Sequence, residues 1–362
     1  MSSFYERLPK PFFIQAPMED VTDAAFRRLI ARTGKPDVMF TEFTSADGLV
    51  LAPEAGQKAL RAKLMFDEGE RPIVAQLFSS IPERMEKAAA IVAELGFDGI
   101  DINMGCPDKA VEKSGCGAAL IKNPERAKEL IQAAKRGGGG LPVSVKTRMG
   151  YSVDEMDSWL PVLLGEEIAN LTVHLRTRKE MSLVPAHWDQ MSRVVAIRDR
   201  VAPQTLVSGN GDVTDLEDAR AKAQESGCDG VMLGRAIYGN PWLYRDLQIR
   251  RTASLRGPGD SLTVPSVYGS GTALPAPRIA SESANLSHDA ASVFVPTPQE
   301  RITALSEHIR LFDELLGHTS NFATMKKHFK AYISGWDHAK ELRTRLMETH
   351  SADEAITLLT QN

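Results

Sequence analysis

The sequence predicts a (β/α)8 barrel followed by a small helical bundle, and three observations lead to this fold. Eight short apolar runs alternate with segments of helical pattern over about 240 residues, which suits such a barrel. The main alternative, a doubly wound open sheet, should carry a GxGxxG turn after its first strand, where the sequence reads APMEDVTD. Beyond the eighth unit the composition changes, and helical patterning returns from Pro298. The eight runs are residues 12–16, 38–42, 72–77, 99–103, 143–147, 171–175, 205–210 and 230–234.

Two segments between the runs carry clear helical signals. In residues 81–95, apolar side chains recur three and four positions apart, which places them on one face of a helix. Residues 123–136 begin with Asn123, a good capping residue, and Pro124, which the first turn of a helix tolerates. The apolar face of the first segment consists of Met85, Ala88, Ala89, Val92 and Leu95.

The composition divides the chain into three parts. Residues 1–251 hold the eight predicted βα units and form the barrel. Residues 252–297 are rich in Ser, Ala, Gly and Pro without a sustained period, which indicates a flexible insertion or linker. Residues 298–362 show four helical stretches and form the predicted bundle. These stretches are residues 299–317, 323–334, 339–349 and 352–361.

The overall composition excludes several classes of protein. The chain has 362 residues, of which 43% are hydrophobic, and a net charge of −4, so any polyanion site must be a local basic patch. No apolar run reaches the ~18 residues of a membrane span, and the N-terminus lacks the apolar core of a signal peptide. Three cysteines do not make a disulfide scaffold. We therefore expect a soluble cytoplasmic protein.

The carboxyl ends of the predicted strands carry the candidate functional residues. In a (β/α)8 barrel these ends meet on one rim, and the chemistry of such barrels takes place there. Lys146 and His174 are the hardest to explain as structural residues, because each directly follows a short apolar strand. In chain order the polar residues of the rim are Met18 and Glu19, Glu42, Gln76, Asn103 and Cys106, Lys146 and Arg148, His174 and Arg176, Asn210 and Asp212, and Arg235.

Glycines follow the seventh and eighth predicted strands. The sequences SGNGDV at 208–213 and LGR at 233–235 place glycine amides where barrels commonly bind phosphate. Arg235 would add a charged, bidentate hydrogen-bond donor to such a site. The alternative is that these glycines only form tight turns. The pattern favours a phosphorylated cofactor or substrate.

Two of the cysteines lie in one glycine-rich loop but invite different interpretations. Cys106 and Cys116 are ten positions apart, which is neither a redox CxxC pair nor the paired spacing of a zinc site. Cys116 lies in SGCGAAL, among small residues, and is predicted to pack. Cys106 lies on the rim, and a thiol with a reference pKa of ~8.5 is mostly protonated at neutral pH, as a proton donor requires. A nucleophilic role would need a nearby base, and the sequence offers none beside it.

Several stretches together closely resemble the tRNA-dihydrouridine synthases. The resemblance is strong over residues 10–250 and weaker over 298–345, where TMKKHFKAYISGW is similar to a C-terminal segment of the bacterial B-type branch. The chain departs from the family's usual pattern at Glu19, Cys116 and Leu175. The matching stretches are APMEDVTDAAFRRL, INMGCPDKAVEKSGCGAAL, VSVKTRMG, LTVHLRTR, VSGNGDV and VMLGRAIYGNPWLY.

The resemblance implies a flavin oxidoreductase that acts on tRNA, and we expect a monomer because a single barrel acts on a bulky RNA. NADPH would reduce a bound FMN, hydride would pass to C6 of a uridine, and Cys106 would protonate C5. Asn103, Arg148 and Arg176 would contact the substrate. The C-terminal helices would bind tRNA through Lys326, Lys327 and Lys330. The residues expected to hold FMN are Pro17, Met18, Glu19, Gln76, Lys146, His174, Asn210, Gly211, Asp212, Gly234 and Arg235.

Two other functions remain open from the sequence. One is a flavin-dependent dehydrogenase of a small free pyrimidine, of the dihydroorotate or dihydropyrimidine kind, which needs no RNA-binding domain. The other is an RNA-binding protein whose barrel has lost catalysis, against which the presence of Cys106, Lys146 and His174 argues. Residues 298–362 contain eight Lys or Arg and nine Asp or Glu, so their charge does not itself indicate RNA binding.

Overall fold

The computed structural model describes residues 3–247 and 294–361. The predicted insertion at 252–297 therefore lies outside the described residues, except for its last four positions. Among the described helices, none combines the length and the apolar character that crossing a membrane requires.

The described part of the chain contains nine strands in one parallel sheet that closes into a barrel. Neighbouring strands follow the order β1-β9-β8-β7-β6-β5-β4-β2, and a parallel bridge between Ile14 and Val38 joins the first strand to the second. The predicted (β/α)8 barrel is thereby confirmed. The strands are β1 Phe12–Gln15, β2 Met39–Phe40, β3 Thr44–Ser45, β4 Ile73–Phe78, β5 Gly99–Met104, β6 Val143–Arg148, β7 Asn170–His174, β8 Leu206–Asn210 and β9 Gly230–Leu233.

The second barrel position differs from its prediction because it is split. Within the run predicted at 38–42 only Met39–Phe40 forms a strand, β2; a second short strand, β3, follows beyond the run at Thr44–Ser45, and both pair with β4. Between them, the N–H of Gln76 donates to the side-chain Oγ1 of Thr41, at 3.1 Å, instead of to a backbone carbonyl. This side-chain bond interrupts the ladder at the point where the chain turns towards Glu42.

Helices surround the barrel and continue into the C-terminal part. The predicted helices at 81–95 and 123–136 are present as α4 and α6, and Asn123 Oδ1 caps α6 by accepting from Arg126 N at 3.2 Å. The described helices are α1 Ala24–Thr33, α2 Ala46–Leu51, α3 Glu54–Lys63, α4 Pro82–Glu94, α5 Lys109–Lys113, α6 Pro124–Gly137, α7 Met156–Leu164, α8 Met191–Val201, α9 Leu216–Ser226, α10 Pro298–Leu316, α11 Lys326–Tyr332, α12 Ala339–Glu348 and α13 Ala352–Thr360.

The barrel interior has an apolar side and a polar side. On the polar side, Gln76 Nε2 donates to Asp101 Oδ2 at 2.7 Å, and Ser144 Oγ donates to Asp101 Oδ1 at 2.6 Å. Ser208 Oγ donates to Asn170 Oδ1 at 2.9 Å. Buried polar groups paired in this way hold their side chains in single orientations, which suits the base of a binding site. The apolar side consists of Phe12, Ile14, Ala16, Val38, Phe40, Val74 and Met232.

The C-terminal helices dock on the flank of the barrel through a cluster of rings. Phe26 of α1 stacks on His308 of α10, with ring centroids 4.9 Å apart, and His308 meets His328 of α11 at 4.5 Å. His328 also stacks on Tyr238, which follows β9, at 5.4 Å. Both histidines are fully buried. The helical part therefore forms a continuous core with α1 and with the chain after β9.

Replacing His328 by Phe should flatten the pH dependence of stability. Burial lowers the pKa of His328 to about 3, whereas the unfolded chain binds this proton below a pKa of ~6.5. The unfolded state therefore gains a proton first as the pH falls, so wild-type stability drops by ~1.4 kcal/mol per pH unit from this residue below pH ~6.5. Phe keeps the ring contacts and removes that loss.

The measurement is urea unfolding of both proteins between pH 7.5 and 4.5. The difference between their free energies of unfolding should change steadily in favour of the Phe variant as the pH falls. Because raised carboxyl pKa values, such as that of Asp23 at about 6, act equally in both proteins, they cancel in the difference. His318 is exposed, so His318→Phe should follow the wild type. A constant difference across this range contradicts the expectation.

Candidate active site

The loop after β5 is fixed by the side chain of Asn103. Asn103 Oδ1 accepts from the N–H groups of Gly105, at 3.1 Å, and Cys106, at 2.9 Å. Its Nδ2 donates to Gln76 Oε1 at 3.0 Å, and Gln76 in turn donates to Asp101. The polar side of the barrel interior is therefore linked directly to the backbone of the cysteine loop. This arrangement makes Asn103 a residue that holds Cys106 in place at the rim.

Cys106 is half-buried on this rim, in surroundings that favour the protonated form of its thiol. Burial is the largest cause of a raised pKa for its thiol, while Lys146 and Arg148 act in the opposite direction. Its carbonyl accepts from Ala118 N at 3.0 Å, and a Cβ at Gly117 would lie 2.7 Å from the same oxygen. Gly117 has a φ of +60°. The close approach of these two loop segments therefore depends on a glycine.

Cys116 occupies a different environment in the same loop. Its side chain is 1% exposed, and its Sγ has a long contact of 3.7 Å to the carbonyl of Ser114. All three cysteines, Cys106, Cys116 and Cys228, are free thiols in the structure. Cys116 packs under the loop, and Cys106 faces the rim.

Lys146 is a cation that Asp101 attracts electrostatically without forming an ion pair with it. It lies on β6 beside Asn103 of β5, and among the described residues its ammonium group has no hydrogen-bond or ion-pair partner. Burial is the main cause that lowers its pKa to about 8, and the nearby Arg148 adds to this. A poorly solvated cation favours an anionic or hydrogen-bond-accepting ligand.

Arg148 is buried and donates hydrogen bonds to backbone carbonyls. Its Nε donates to Gly105 O at 2.7 Å, and its Nη1 donates to the carbonyls of Thr177, at 3.1 Å, and Met181, at 2.9 Å. The side chain is only 5% exposed. The structure thus places Arg148 as a link between the cysteine loop and the loop after β7, which favours a structural role over the predicted contact with substrate.

Arg176 is buried between His174 and Asp212. Its Nη1 lies 3.0 Å from His174 Nε2, its Nε donates to Val184 O at 2.7 Å, and its Nη2 contacts Asp212 Oδ2. Asp212 also accepts from Ala186 N at 2.9 Å. These contacts join the ends of β7 and β8 in one network. They leave Arg176 only 2% exposed, which favours a role inside the site over a direct contact with tRNA.

The predicted phosphate site has glycines and one exposed guanidinium. Arg235 is largely exposed and pairs with Asp212, whose pKa is lowered in part by Arg176 and Arg235 although burial opposes this. Gly211 has a φ of +124°, and a Cβ there would lie 2.8 Å from Ala186 Cβ. The side chain of Asn210 donates to Met232 O at 2.8 Å, which ties β8 to β9. Gly234 begins the turn that holds Arg235.

The loop after β1 and the end of the second barrel position form an acidic group, in which Asp20 joins the predicted rim residues Glu19 and Glu42. Glu19 is exposed and its carboxylate pairs with Lys63, which leaves its backbone as the part available to a flavin. Asp20 N donates to Glu42 Oε1 at 2.6 Å, and burial raises the pKa of Glu42 to about 7. Lys63, on α3, gave no signal in the sequence, because nothing in its helix indicates that it reaches the rim. Pro17 and Met18 precede this group and are half-buried.

The three predicted tRNA-binding lysines of α11 have different surroundings. Lys327 pairs with Asp20 of the loop after β1. Lys326 Nζ donates to Met347 O at 2.8 Å, within the helical part. Lys330 is exposed, and its ammonium group has no partner among the residues in the described ranges. The basic cluster thus lies beside the barrel rim, and Lys330 is its member most open to an added phosphate.

The structure is a parallel (β/α)8 barrel with a thiol, a lysine and a histidine at the carboxyl ends of its strands. Active sites of (β/α)8-barrel enzymes lie at this end, so the fold and the site define an enzyme. Residues 14–258 match the family model described as dihydrouridine synthase (Dus). The chain is 40% identical over 359 residues to a probable tRNA-dihydrouridine synthase 2 of Bacillus subtilis (strain 168), covering 99% of this chain and 95% of that protein. The chain therefore belongs to the dihydrouridine synthase family.

A second curated relative agrees with this assignment, and one solved structure is a more distant match. A probable tRNA-dihydrouridine synthase of Staphylococcus aureus (strain COL) is 39% identical over 359 residues, which cover 99% of this chain and 94% of the relative. Among solved structures, morphinone reductase in complex with tetrahydroNAD has a TM-score of 0.46 at 14% identity, covering 66% of this chain and 86% of that one. The matches to the curated relatives extend through the C-terminal helices as well as the barrel.

Proposed function

We propose that the protein reduces the C5–C6 double bond of a uridine in tRNA to 5,6-dihydrouridine, with bound FMN, NADPH as the reductant and Cys106 as the proton donor. The observation that carries the proposal is the arrangement of the rim in a member of this family. The thiol of Cys106, on the loop after β5, and the ammonium group of Lys146, on the adjacent strand β6, lie at one barrel mouth, and burial favours the protonated form of the thiol. A monomer in the cytoplasm stays a prediction.

The residues at the rim fit both the ring and the phosphate of FMN. Lys146 supplies an unpartnered ammonium group, which suits the electron-rich edge of an isoalloxazine ring. Gln76 fixes the polar base beneath, and His174 offers a second donor. Backbone amides near Gly211 and Gly234, with the exposed Arg235, suit the phosphate. The flavin, when bound and reduced, supplies the hydride that reaches C6 of uracil.

The proton is the part of the reaction that this chain supplies. Hydride addition at C6 leaves negative charge that is relieved when the Cys106 thiol transfers its proton to C5. The resulting thiolate lies near Lys146 and Arg148, and both cations favour it. Solvent then returns a proton to the half-buried sulfur. Asn103 holds the loop in position through the N–H of Cys106 throughout this step.

The C-terminal helices favour tRNA over a small free pyrimidine. They align with the curated relatives along with the barrel, and the basic start of α11 lies next to the loop after β1 through Lys327 and Asp20. A small substrate needs no such surface. A uridine in folded tRNA must leave its stack to reach a cofactor in a barrel mouth. Lys330 is then placed to contact the RNA backbone.

Lys146→Met is expected to weaken FMN binding by about ten- to hundredfold, because a charge-assisted hydrogen bond contributes ~1.5–3 kcal/mol. The measurement is a titration of flavin-free protein with FMN, followed by flavin fluorescence. Lys113→Met removes an exposed lysine of α5 and should bind FMN like the wild type. Equal affinities in all three proteins contradict the assignment of Lys146.

The function itself is tested in a host strain that lacks its own dihydrouridine synthases. Expression of this chain should restore dihydrouridine to purified tRNA, as measured by nucleoside mass spectrometry. Purified protein should also show flavin absorption bands. A chain that is expressed and folded, yet restores no dihydrouridine and binds no FMN, contradicts the proposal.

A further inference from the structure

We propose that Arg176 is a positioning residue that fixes the ring tautomer of His174, so that Nδ1 carries the proton and acts as a permanent hydrogen-bond donor at the barrel mouth. This inference rests on the proposed function for its purpose, because the donor is meant for an acceptor atom of the flavin. The tautomer itself is a property of this chain and can be measured without the cofactor.

The chemistry of the contact determines the tautomer. Arg176 Nη1 lies 3.0 Å from His174 Nε2. A guanidinium group has five N–H donors and no acceptor, so Nε2 must accept and cannot carry a proton. A neutral imidazole with a bare Nε2 is protonated at Nδ1. No described residue hydrogen-bonds to Nδ1, so this donor is available to a ligand.

The surroundings of both side chains keep this arrangement in place. Arg176 is held at two further points, by Val184 O and by Asp212, which is itself bonded to Ala186 N and Arg235. At the same edge of the imidazole, a Cβ at Gly211 would lie 3.2 Å from Cδ2 and 3.4 Å from Nε2. The Nε2 edge therefore lies against both Arg176 and the backbone after β8, where a larger residue than glycine would crowd it.

Charge around the ring opposes its protonation. Burial is the main cause that lowers the pKa of His174 well below its usual value, and four cations add to it. Asp212 is the anion of this cluster, and two arginines already share it. A neutral His174 should thus donate from Nδ1 throughout the physiological pH range, in contrast to a solvated histidine. The four cations are Lys146, Arg148, Arg176 and Arg235.

The purpose of such a donor follows from the proposed function. An acceptor atom of a flavin ring would meet Nδ1–H and the Lys146 ammonium group together, one neutral and one charged donor. A histidine free to change tautomer would present a bare nitrogen to that atom in part of the molecules and repel it. Arg176 removes this alternative. Its effect on the cofactor is exerted through His174, since the guanidinium itself is buried in protein contacts.

The test is ¹⁵N NMR of the imidazole nitrogens in the full chain, with and without added FMN, between pH 6 and 8. His174→Gln assigns the signals of His174 among the eight histidines. Wild type should show a protonated Nδ1 and a bare Nε2 at every pH. Arg176→Lys keeps a donor-only group and should retain this pattern. Arg176→Gln offers an amide oxygen to Nε2 and should produce a substantial Nε2–H population.

The control is Arg148→Lys, which alters a neighbouring buried arginine that does not contact the imidazole. It should leave the tautomer of His174 unchanged. A proton on Nε2 in the wild type overturns the inference, and this outcome does not depend on any variant folding. A folded Arg176→Gln protein with the wild-type pattern, or an equal change in Arg148→Lys, overturns it as well. A wild type with the expected tautomer but no dihydrouridine product contradicts the proposed function only.

Discussion

Cys106→Ala is expected to lower the rate of dihydrouridine formation by about 10²–10⁴-fold, the usual contribution of a positioned proton donor. Alanine removes the proton that the thiol supplies to C5 of uracil and leaves the fold of the loop intact. The loop is held by the backbone N–H of residue 106, which bonds to Asn103 Oδ1 at 2.9 Å whatever the side chain. Reduction of bound flavin by NADPH should proceed at the wild-type rate, because uracil takes no part in it.

The matched control is Cys116→Ala, ten positions further along the same loop. Its thiol is buried and interacts only weakly with Ser114 and Ser80, away from the reacting atoms, so we expect a product rate within about twofold of the wild type. The measurement is single-turnover dihydrouridine formation with flavin reduced in advance. A loss of activity confined to Cys116→Ala, with Cys106→Ala active, contradicts the assignment of the proton donor.

Arg27→Met is expected to destabilise the protein by about 3–5 kcal/mol, the usual cost of breaking one partner of a buried ion pair. The side chains of Arg27 and Glu70 are both fully buried, with Nε and Oε2 2.9 Å apart. Arg27 Nη1 also donates to Thr22 O at 2.7 Å, which fastens the loop after β1 to α1. Methionine fills much of the volume but leaves the Glu70 carboxylate buried without this cation.

Denaturation by guanidinium chloride at pH 7 measures this loss. Arg193→Met is the matched control, because Arg193 forms ion pairs with Asp154 and Asp157 that are partly exposed to water. Such surface pairs contribute ~0–1 kcal/mol. Equal losses for the two variants would show that burial of the Arg27 pair has no special effect on stability.

Much of the fold could be predicted because parallel barrel strands are buried on both faces. Each strand then reads as a short apolar run, and these runs located the barrel positions and the rim. The split at Thr41 could not be predicted, because it depends on a hydroxyl that accepts from Gln76 N, a residue of the next strand in the barrel. Periodicity carries no information about such a bond.

The composition of the candidate site could be predicted better than the environment of its members. Cys106, Lys146 and His174 were expected on the rim from their positions after apolar runs, and the structure places them there. The surroundings of the two arginines could not be predicted, because most of their partners are distant in the sequence. The partners of Arg148 lie 29–43 positions away. Those of Arg176 lie 8–36 positions away, apart from the nearby His174. The interior position of Asp101 could have been predicted, because a carboxylate within the apolar run GIDIN must point into a polar part of the barrel.

The basic cluster of α11 shows the same limit for surface charge. Counting charges in MKKHFK predicts a phosphate-binding surface, but it cannot show that Lys327 is engaged with Asp20, more than three hundred positions earlier. The surface open to RNA depends on which lysines the barrel has already paired. The cluster of rings around His328 could not be predicted either, because the sequence does not distinguish a buried histidine from a solvated one.

The most direct test of the central claim uses the purified protein loaded with FMN, NADPH and an unmodified tRNA transcript. Nucleoside mass spectrometry after digestion should show a gain of two mass units at uridine in the tRNA. Parallel reactions with uridine monophosphate should give no more product than reactions without protein. Reduction of the free nucleotide with the tRNA left unchanged would contradict the account and support the small-pyrimidine dehydrogenase instead.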